Sequence, residues 1–123
     1  MIIGVGTDLC SISRMKRAVK SDHFVLRVFS GEEIDYAMSR SDPSSHFASS
    51  YAAKEALAKA SGFGVFVLGM AESWVRRTET GPVMMMSDGL RGRLMGGDAG
   101  KCWLSLTHEG DYALAFVVLE REP

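Results

Sequence analysis

The chain has 123 residues, of which 46% are hydrophobic and 24% are charged, and its net charge at pH 7 is −1. This composition is typical of a globular protein, and the length favours one domain over residues 1–123. The small net charge gives no global case for nucleic-acid binding, no apolar run is long enough to cross a membrane, and the first residues lack a signal-peptide pattern.

The first segment, MIIGVGTDLC at residues 1–10, alternates in the manner of a β-strand. The face that carries Asp8 otherwise carries Gly4 and Gly6. Glycine within a strand often marks the close approach of a ligand or of another backbone. Asp8 is therefore a candidate site residue, although it could also cap a turn.

Helix signals follow in three places. Residues 11–20, SISRMKRAVK, combine a serine cap with an apolar stripe. Ser30 and Glu33 form a capping box at the start of a second short helix. After Pro43 a long helix continues to GFG at residues 62–64, where a glycine ends it.

The first of these helices and the segment after it are basic. Five basic residues stand here against a single acid, Asp22, namely Arg14, Lys16, Arg17, Lys20 and Arg27. Such a surface would suit an acidic partner, with apolar contact from Met15, Phe24 and Val25. The alternative is an ordinary solvated helix face.

The second half of the chain changes to strand patterns. Residues 71–89 indicate two strands joined by a turn at 80–82 (TGP), and Ser87 caps a short helix. Residues 102–120 form the clearest hairpin, with its turn at 110–111. A strand, then helices, then mostly adjacent strands predict an α+β fold with a largely antiparallel sheet, one long helix and shorter helices.

The long helix is apolar around most of its circumference, yet it carries Lys54, Glu55 and Lys59. A buried charge must be paired or must coordinate a metal. Asp8 and Glu55 would supply two carboxylates from separate elements, as Mg²⁺ requires, and Lys59 could then reach a phosphate. Spacing alone favours the structural alternative, an ion pair between Glu55 and Lys59 on a solvated face.

Two other residue types are candidates for chemistry. His108 ends a predicted strand and could donate to phosphate or shuttle a proton, whereas a solvated turn residue is the alternative. Cys10 and Cys102 are far apart and lack metal-site spacing. They favour two free thiols in a reducing cytoplasm over a disulfide or a metal pair.

Four motifs occur in a fixed order: IIGVGTD at 2–8, YAAKEALAKA at 51–60, SLTH at 105–108 and YALAFVV at 112–118. Their order, spacing and total length resemble the holo-acyl-carrier-protein synthases, the short class of 4'-phosphopantetheinyl transferase. The resemblance spans essentially the whole chain. It implies the fold of that family.

The resemblance implies an enzyme that transfers 4'-phosphopantetheine from coenzyme A to a serine of apo-acyl carrier protein and releases 3',5'-ADP, a reaction of fatty acid biosynthesis. Asp8, Glu55 and Lys59 would be the catalytic group, with Mg²⁺ on the two carboxylates and Lys59 neutralising phosphate charge. His108 would lie near the coenzyme A phosphates. Lys54 would bind the nucleotide or support Glu55.

The resemblance also gives the basic helix a partner. Arg14 and its neighbours would meet the acidic acyl carrier protein, with help from Arg17 and Arg27, because arginine grips carboxylates in a bidentate manner. Phe24 would supply apolar contact. Members of the family are cytoplasmic homotrimers with sites at subunit interfaces.

The chain departs from the family pattern in two places. Ser50 stands where an arginine is common, and the turn at 80–82 lacks the lysine of a usual Gly-Lys-Pro. Both changes remove a positive charge, which leaves open how this chain holds coenzyme A. Two other functions also remain open: a metal-dependent nucleotide phosphohydrolase that uses the same carboxylates, and a non-catalytic module that binds an acidic protein.

Overall fold

The computed structural model describes residues 1–122, except for the side chains of Phe66 and Asp98. The first part of the described chain contains one strand and five α-helices: β1 (Ile2–Ser11), α1 (Ile12–Ala18), α2 (Asp22–Val28), α3 (Gly31–Met38), α4 (Pro43–Ser61) and α5 (Val65–Leu68). The second part contains four strands and one α-helix: β2 (Ser73–Thr78), β3 (Gly81–Met86), α6 (Asp88–Met95), β4 (Gly100–Glu109) and β5 (Tyr112–Arg121).

The strands form two antiparallel sheets. In the larger sheet β5 lies in the centre, between β1 and β4, and β2 pairs with β3 in a separate hairpin. The predicted α+β fold with antiparallel pairing is therefore confirmed. The division into two sheets was not predicted, because the sequence pattern does not show which strand edges meet.

The two predicted hairpins are present. In the β4–β5 hairpin Leu104 pairs with Val117 and His108 pairs with Ala113, and the turn lies at 110–111 as expected. The β2–β3 turn lies one step earlier than predicted, since Gly81 already pairs with Thr78 as the first residue of β3.

The predicted caps of four helices are confirmed. The side chains of Ser11 and Ser87 accept hydrogen bonds from the first turns of α1 and α6, and Ser30 and Glu33 form the capping box of α3. Helix α4 ends at Gly62, whose φ of 79° is in the left-handed region that glycine adopts easily. Across residues 1–122, no helix is both long enough and apolar enough to span a membrane.

Helix α2 was not predicted as a separate element. Ser21 caps it by accepting a hydrogen bond from the backbone N–H of Phe24. Its apolar side chains, Phe24, Val25 and Val28, pack with Met15 of α1 in a small core cluster. The basic residues around it masked this apolar spacing in the sequence.

Helix α4 lies against the inner face of the larger sheet, and the contact is unusually close. A Cβ atom at Gly4 would lie 1.9 Å from the carbonyl oxygen of Ala60, and one at Gly6 would lie 2.0 Å from that of Ala56. The glycines of β1 therefore admit the backbone of α4 and leave no open space for a ligand. This contact brings Asp8, on the same face of β1, beside the helix.

The outer face of the larger sheet exposes several large apolar side chains. Val5 and Leu9 of β1 are 52% and 57% exposed, Trp103 of β4 is 54% exposed, and Phe116 of β5 is 39% exposed. Val5 pairs with Val118, and Val118 pairs with Trp103, so these side chains form a continuous strip across three strands. Contiguous apolar surface of this kind commonly marks an interaction site.

Candidate active site

Asp8 and Glu55 line the same pocket, which has a volume of about 400 Å³. Asp8 extends from β1 and Glu55 from α4, and the close contact of these two elements places the carboxylates together. Arg14 of α1 and Phe24 of α2 also line the pocket. The structure thus brings together four predicted residues from four elements. Two of them were predicted to bind a metal and two to bind a partner protein.

Tyr51 lies one helical turn before Glu55 and lines the same pocket. Burial and the nearby Glu55 carboxylate together raise the pKa of Tyr51 to about 12. The phenol therefore stays protonated beside the Glu55 carboxylate. This contact orients the carboxylate within the pocket.

Cys10 lies two residues after Asp8 and faces the same pocket. Burial raises the pKa of the Cys10 thiol to about 11, and Asp8 and Glu55 both add to the rise, while Arg14 opposes it. Cys10 is a free cysteine. Because the thiolate is the nucleophilic form, this thiol is poorly reactive at neutral pH.

Lys59 pairs with Asp8 rather than with Glu55. Its Nζ lies 3.1 Å from Asp8 Oδ1, and the Lys59 side chain is 57% exposed. The ion pair thus links α4 to β1 near their close backbone contact. An ammonium group that is half in solvent beside a carboxylate can also neutralise the charge of an incoming phosphate.

The structure corrects the expectation for Lys54. Its side chain is about 1% exposed and its Nζ lies 3.1 Å from Glu33 Oε1. The same ammonium donates to the backbone carbonyls of Met70 and Ser73. None of these partners lines the pocket, so Lys54 stabilises the packing of α4 in the core and does not face the pocket.

Glu33 completes this buried network. Its Oε1 accepts from the backbone N–H of Ser30 at 2.9 Å, as the capping box requires, and its Oε2 accepts from the backbone N–H of Val75 at 2.9 Å. Burial lowers the pKa of Lys54, and the carboxylate of Glu33 opposes that shift. The pair therefore connects α3, α4 and β2.

Three other predicted residues, His108, Arg17 and Arg27, do not line the pocket. His108 is exposed at the end of β4, and Arg17 and Arg27 are exposed on α1 and α2. Phe24 forms part of the pocket wall, where its ring centroid lies 6.3 Å from that of Tyr51.

Sequence reasoning missed Tyr51 and Cys10 as pocket residues. Both carried a usable signal, since Tyr51 precedes Glu55 by four positions on a helix and Cys10 follows Asp8 by two positions on a strand. These spacings place residues on one face. The ion pair of Lys54 with Glu33 carried no such signal, because it joins separate elements.

The donor set at the pocket fits Mg²⁺. Magnesium is usually held by one or two protein carboxylates, with water and substrate phosphates completing its shell. Asp8 and Glu55 provide two carboxylates whose charges both act on Cys10. Within residues 1–122 no group of three or more His, Cys, Asp or Glu side chains could enclose a metal, so a site made only of protein ligands is not available there.

Comparison with known proteins identifies the family. The model of the 4'-phosphopantetheinyl transferase superfamily matches residues 4–117. The chain belongs to this superfamily. The predicted resemblance and the predicted transferase class of enzyme are therefore confirmed.

Individual members of the superfamily match over nearly the full chain. The holo-[acyl-carrier-protein] synthase of Clostridium botulinum (strain Eklund 17B / Type B) is 35% identical, over 98% of each chain. The crystal structure of the synthase from Neisseria meningitidis has a TM-score of 0.86 and 32% identity, and covers 98% of this chain and 100% of its own. The synthase from Bacillus anthracis str. Ames, in complex with CoA (3',5'-ADP), has a TM-score of 0.82 and 28% identity, with 99% of each chain covered.

Proposed function

We propose that this phosphopantetheinyl transferase is a holo-acyl-carrier-protein synthase that transfers 4'-phosphopantetheine from coenzyme A to a serine of apo-acyl carrier protein. The observation that carries the proposal is the meeting of Asp8 and Glu55 in one pocket, with Lys59 3.1 Å from Asp8. The family of the chain and the names of its relatives support the same reaction. The proposal treats residues 1–123 as one transferase domain.

In this reaction the serine oxygen of the carrier forms a bond to the β-phosphate of coenzyme A. The bond between that phosphorus and the bridging oxygen breaks, and 3',5'-ADP leaves. Phosphoryl transfer depends mainly on alignment and on neutralisation of charge. Asp8 and Glu55 would hold Mg²⁺, and the bound cation would supply positive charge that attracts the diphosphate. Lys59 contributes a further positive charge.

Coenzyme A would contact Lys59 and the exposed His108. Lys54 is not included, because its ammonium is committed to Glu33 and to backbone carbonyls. Ser50, which replaces a common arginine of the family, is buried in α4 and is only 4% exposed. The loss of that positive charge makes Lys59 and His108 more important for phosphate binding in this chain.

The acidic carrier protein would dock on α1 and α2. Arg14 and Phe24 line the pocket, and Arg17 and Arg27 are exposed on the same two helices. A basic rim around an apolar contact suits an acidic protein partner. We place the reaction in the cytoplasm, which agrees with two free cysteines.

The outer face of the larger sheet supports assembly of the chain with copies of itself. Its strip of exposed apolar side chains runs across β1, β5 and β4 and includes Val5, Trp103 and Phe116. Burying this strip between subunits would remove apolar surface from water, which favours association. We propose a homotrimer with sites at the subunit interfaces.

The test is the intact mass of an apo-acyl carrier protein after incubation with the enzyme, coenzyme A and Mg²⁺. We expect the carrier to gain the mass of one phosphopantetheine, and a chelator to prevent the gain. Asp8→Asn and Glu55→Gln should each slow the transfer by roughly 100-fold or more, an effect typical of losing charge stabilisation in a transition state. Asp35→Ala, which removes an exposed acid of α3, is the matched control.

Other outcomes would replace the proposal. Cleavage of coenzyme A without a change in carrier mass would indicate a phosphohydrolase. Binding of the carrier with no reaction would indicate a non-catalytic module. Full transfer activity in both carboxylate variants would show that Asp8 and Glu55 are not the reactive site.

A further inference from the structure

Asp111, in the turn between β4 and β5, makes a set of contacts with the start of α1. Its Oδ1 accepts from the backbone N–H of Ser13 at 2.9 Å. Its Oδ2 accepts from the hydroxyls of Ser11 at 2.9 Å and Ser13 at 2.8 Å. Its backbone carbonyl accepts from the N–H of Ile12 at 2.7 Å. One residue of a distant turn therefore receives four hydrogen bonds from three consecutive residues.

These contacts provide hydrogen-bond acceptors for backbone N–H groups in the first turn of α1. The first N–H groups of any helix lack partners within the helix. In α1 the N–H groups of Ile12 and Ser13 go to Asp111, and that of Arg14 goes to the side chain of Ser11 at 3.2 Å. Helix α1 has seven residues and no acid in its first turn, and a helix this short is marginal by itself.

The charge of Asp111 also acts on α1. A carboxylate near a helix N-terminus is favourable, and Asp111 supplies the one that the first turn lacks. The hydrogen bonds from Ser13 and Ser11 lower the pKa of Asp111, and the nearby Arg17 lowers it as well. Asp111 is thus ionised at neutral pH and lies close to the basic surface of α1.

We propose that Asp111 is a positioning residue that fixes the first turn of α1 to the β4–β5 turn, and so presents Arg14 and the basic face of α1 to the acidic carrier protein. Asp111 does not line the pocket, but Ser11 and Arg14 both do. Asp111 accepts a hydrogen bond from the Ser11 hydroxyl, which in turn accepts one from the backbone N–H of Arg14. The docking role depends on the proposed function, whereas the capping contacts do not.

The charge of Asp111 and its capping contacts are expected to have opposite effects on carrier binding. Asp111 is an acid beside a surface that would bind an acidic protein, so removing its charge alone should strengthen the attraction. If Asp111 positions α1, removing the three side-chain contacts of the cap should instead weaken carrier binding. Asp111→Asn and Asp111→Ala separate the two effects, since asparagine keeps an oxygen acceptor for the Ser13 N–H and alanine does not.

The experiment measures KM for apo-acyl carrier protein and for coenzyme A in the parent enzyme, Asp111→Ala and Asp111→Asn. We expect Asp111→Ala to raise KM for the carrier roughly fivefold, as loss of an ordinary helix cap would do, with KM for coenzyme A unchanged. Asp111→Asn should leave KM for the carrier at or below the parent value. Glu109→Ala, an exposed acid near the same turn, is the matched control and should not raise it.

A second readout needs no substrate. Amide hydrogen exchange of residues 12–14 should be faster in Asp111→Ala than in the parent, and less so in Asp111→Asn. Ser13→Ala, which removes only one hydroxyl donor, should show a smaller change and serves if Asp111→Ala proves unstable.

An unchanged or lower KM for the carrier in Asp111→Ala would overturn the docking role, and unchanged exchange would overturn the cap. Failure of the parent to modify any carrier would instead overturn the proposed function and the docking role together. The exchange result would then still decide whether Asp111 caps α1.

Discussion

Glu33 and Lys54 show what a buried charge requires at the scale of single residues. Both side chains are about 1% exposed, and each has two hydrogen-bond partners besides the other. Pairing alone does not offset the cost of removing two charges from water, so the additional contacts matter. The network stabilises the junction of α3, α4 and β2, outside the pocket that Glu55 lines.

We predict that Lys54→Met destabilises the protein by about 3–5 kcal/mol, because Glu33 would remain buried without a cation. The double variant Glu33→Gln with Lys54→Met should be less destabilised than Lys54→Met alone, because no unpaired charge is left and glutamine still accepts from Val75. Urea unfolding at one fixed protein concentration measures both. Equal unfolding midpoints for Lys54→Met and the parent would contradict this account.

The sequence indicated the pocket residues better than it indicated their partners. Asp8 and Glu55 could be selected because carboxylates in apolar or glycine-rich surroundings are unusual. The partner of Lys59 was predicted as Glu55, four positions away, and is Asp8 instead. The local pairing rule fails here because β1 brings a closer acid from outside the helix. Long-range contacts of this kind depend on packing that a single sequence does not display.

At the scale of elements, the contact between β1 and α4 decides where the site forms. The carbonyl oxygens of Ala56 and Ala60 occupy the places where Cβ atoms of Gly6 and Gly4 would be. A backbone oxygen cannot move aside as the end of a flexible side chain can. Any side chain at these two positions must therefore separate the strand from the helix.

We predict that Gly6→Ala destabilises the protein by at least about 3 kcal/mol, the upper end of the usual cost of overpacking. Gly92→Ala is the matched control, because a Cβ there meets nothing within 4 Å. Gly92 lies within α6, so this change should stabilise the protein by about 0.5–1 kcal/mol. Urea unfolding would measure both changes in stability. A Gly6→Ala variant with the stability of the parent would show that β1 and α4 can separate at little cost.

Elements with strong local signals were predictable, and their arrangement was less so. Serine caps, the capping box and the glycine at 62 set the limits of α1, α3, α4 and α6 in the sequence itself. Helix α2 was missed because it has only seven residues and its apolar residues lie among charged ones. The pairing of β1 with β5 joins opposite ends of the chain, and the hydrophobic pattern of each strand does not specify such a partner.

At the scale of the whole molecule, the larger sheet has one covered face and one exposed face. Helix α4 covers the inner face, while the outer face presents Val5, Leu9, Trp103 and Phe116. A chain of this size has a modest core, and association is a common way for small proteins to bury more apolar surface.

We predict that the chain assembles through this outer face and that Phe116→Glu disrupts the assembly, because it would bury a charge without a partner. Light scattering coupled to size-exclusion chromatography should give about three times the 13.4 kDa mass of the chain for the parent and a lower value for the variant. Glu122→Ala, a change at an exposed position outside this strip, should not alter the mass. A parent that elutes as a monomer at all concentrations would contradict the proposed trimer.

If Asp8 and Glu55 hold Mg²⁺ as proposed, the two glycines of β1 affect which metal ions the site can hold. Magnesium prefers oxygen ligands at about 2.0–2.1 Å and calcium at about 2.3–2.6 Å, so a site can discriminate by ionic radius if its ligands cannot spread apart. Here the main chains that carry Asp8 and Glu55 are in direct contact, without an intervening layer of side chains. The spacing of the proposed ligands would therefore depend on the backbone contacts of Gly4 with Ala60 and of Gly6 with Ala56, as well as on the carboxylates themselves.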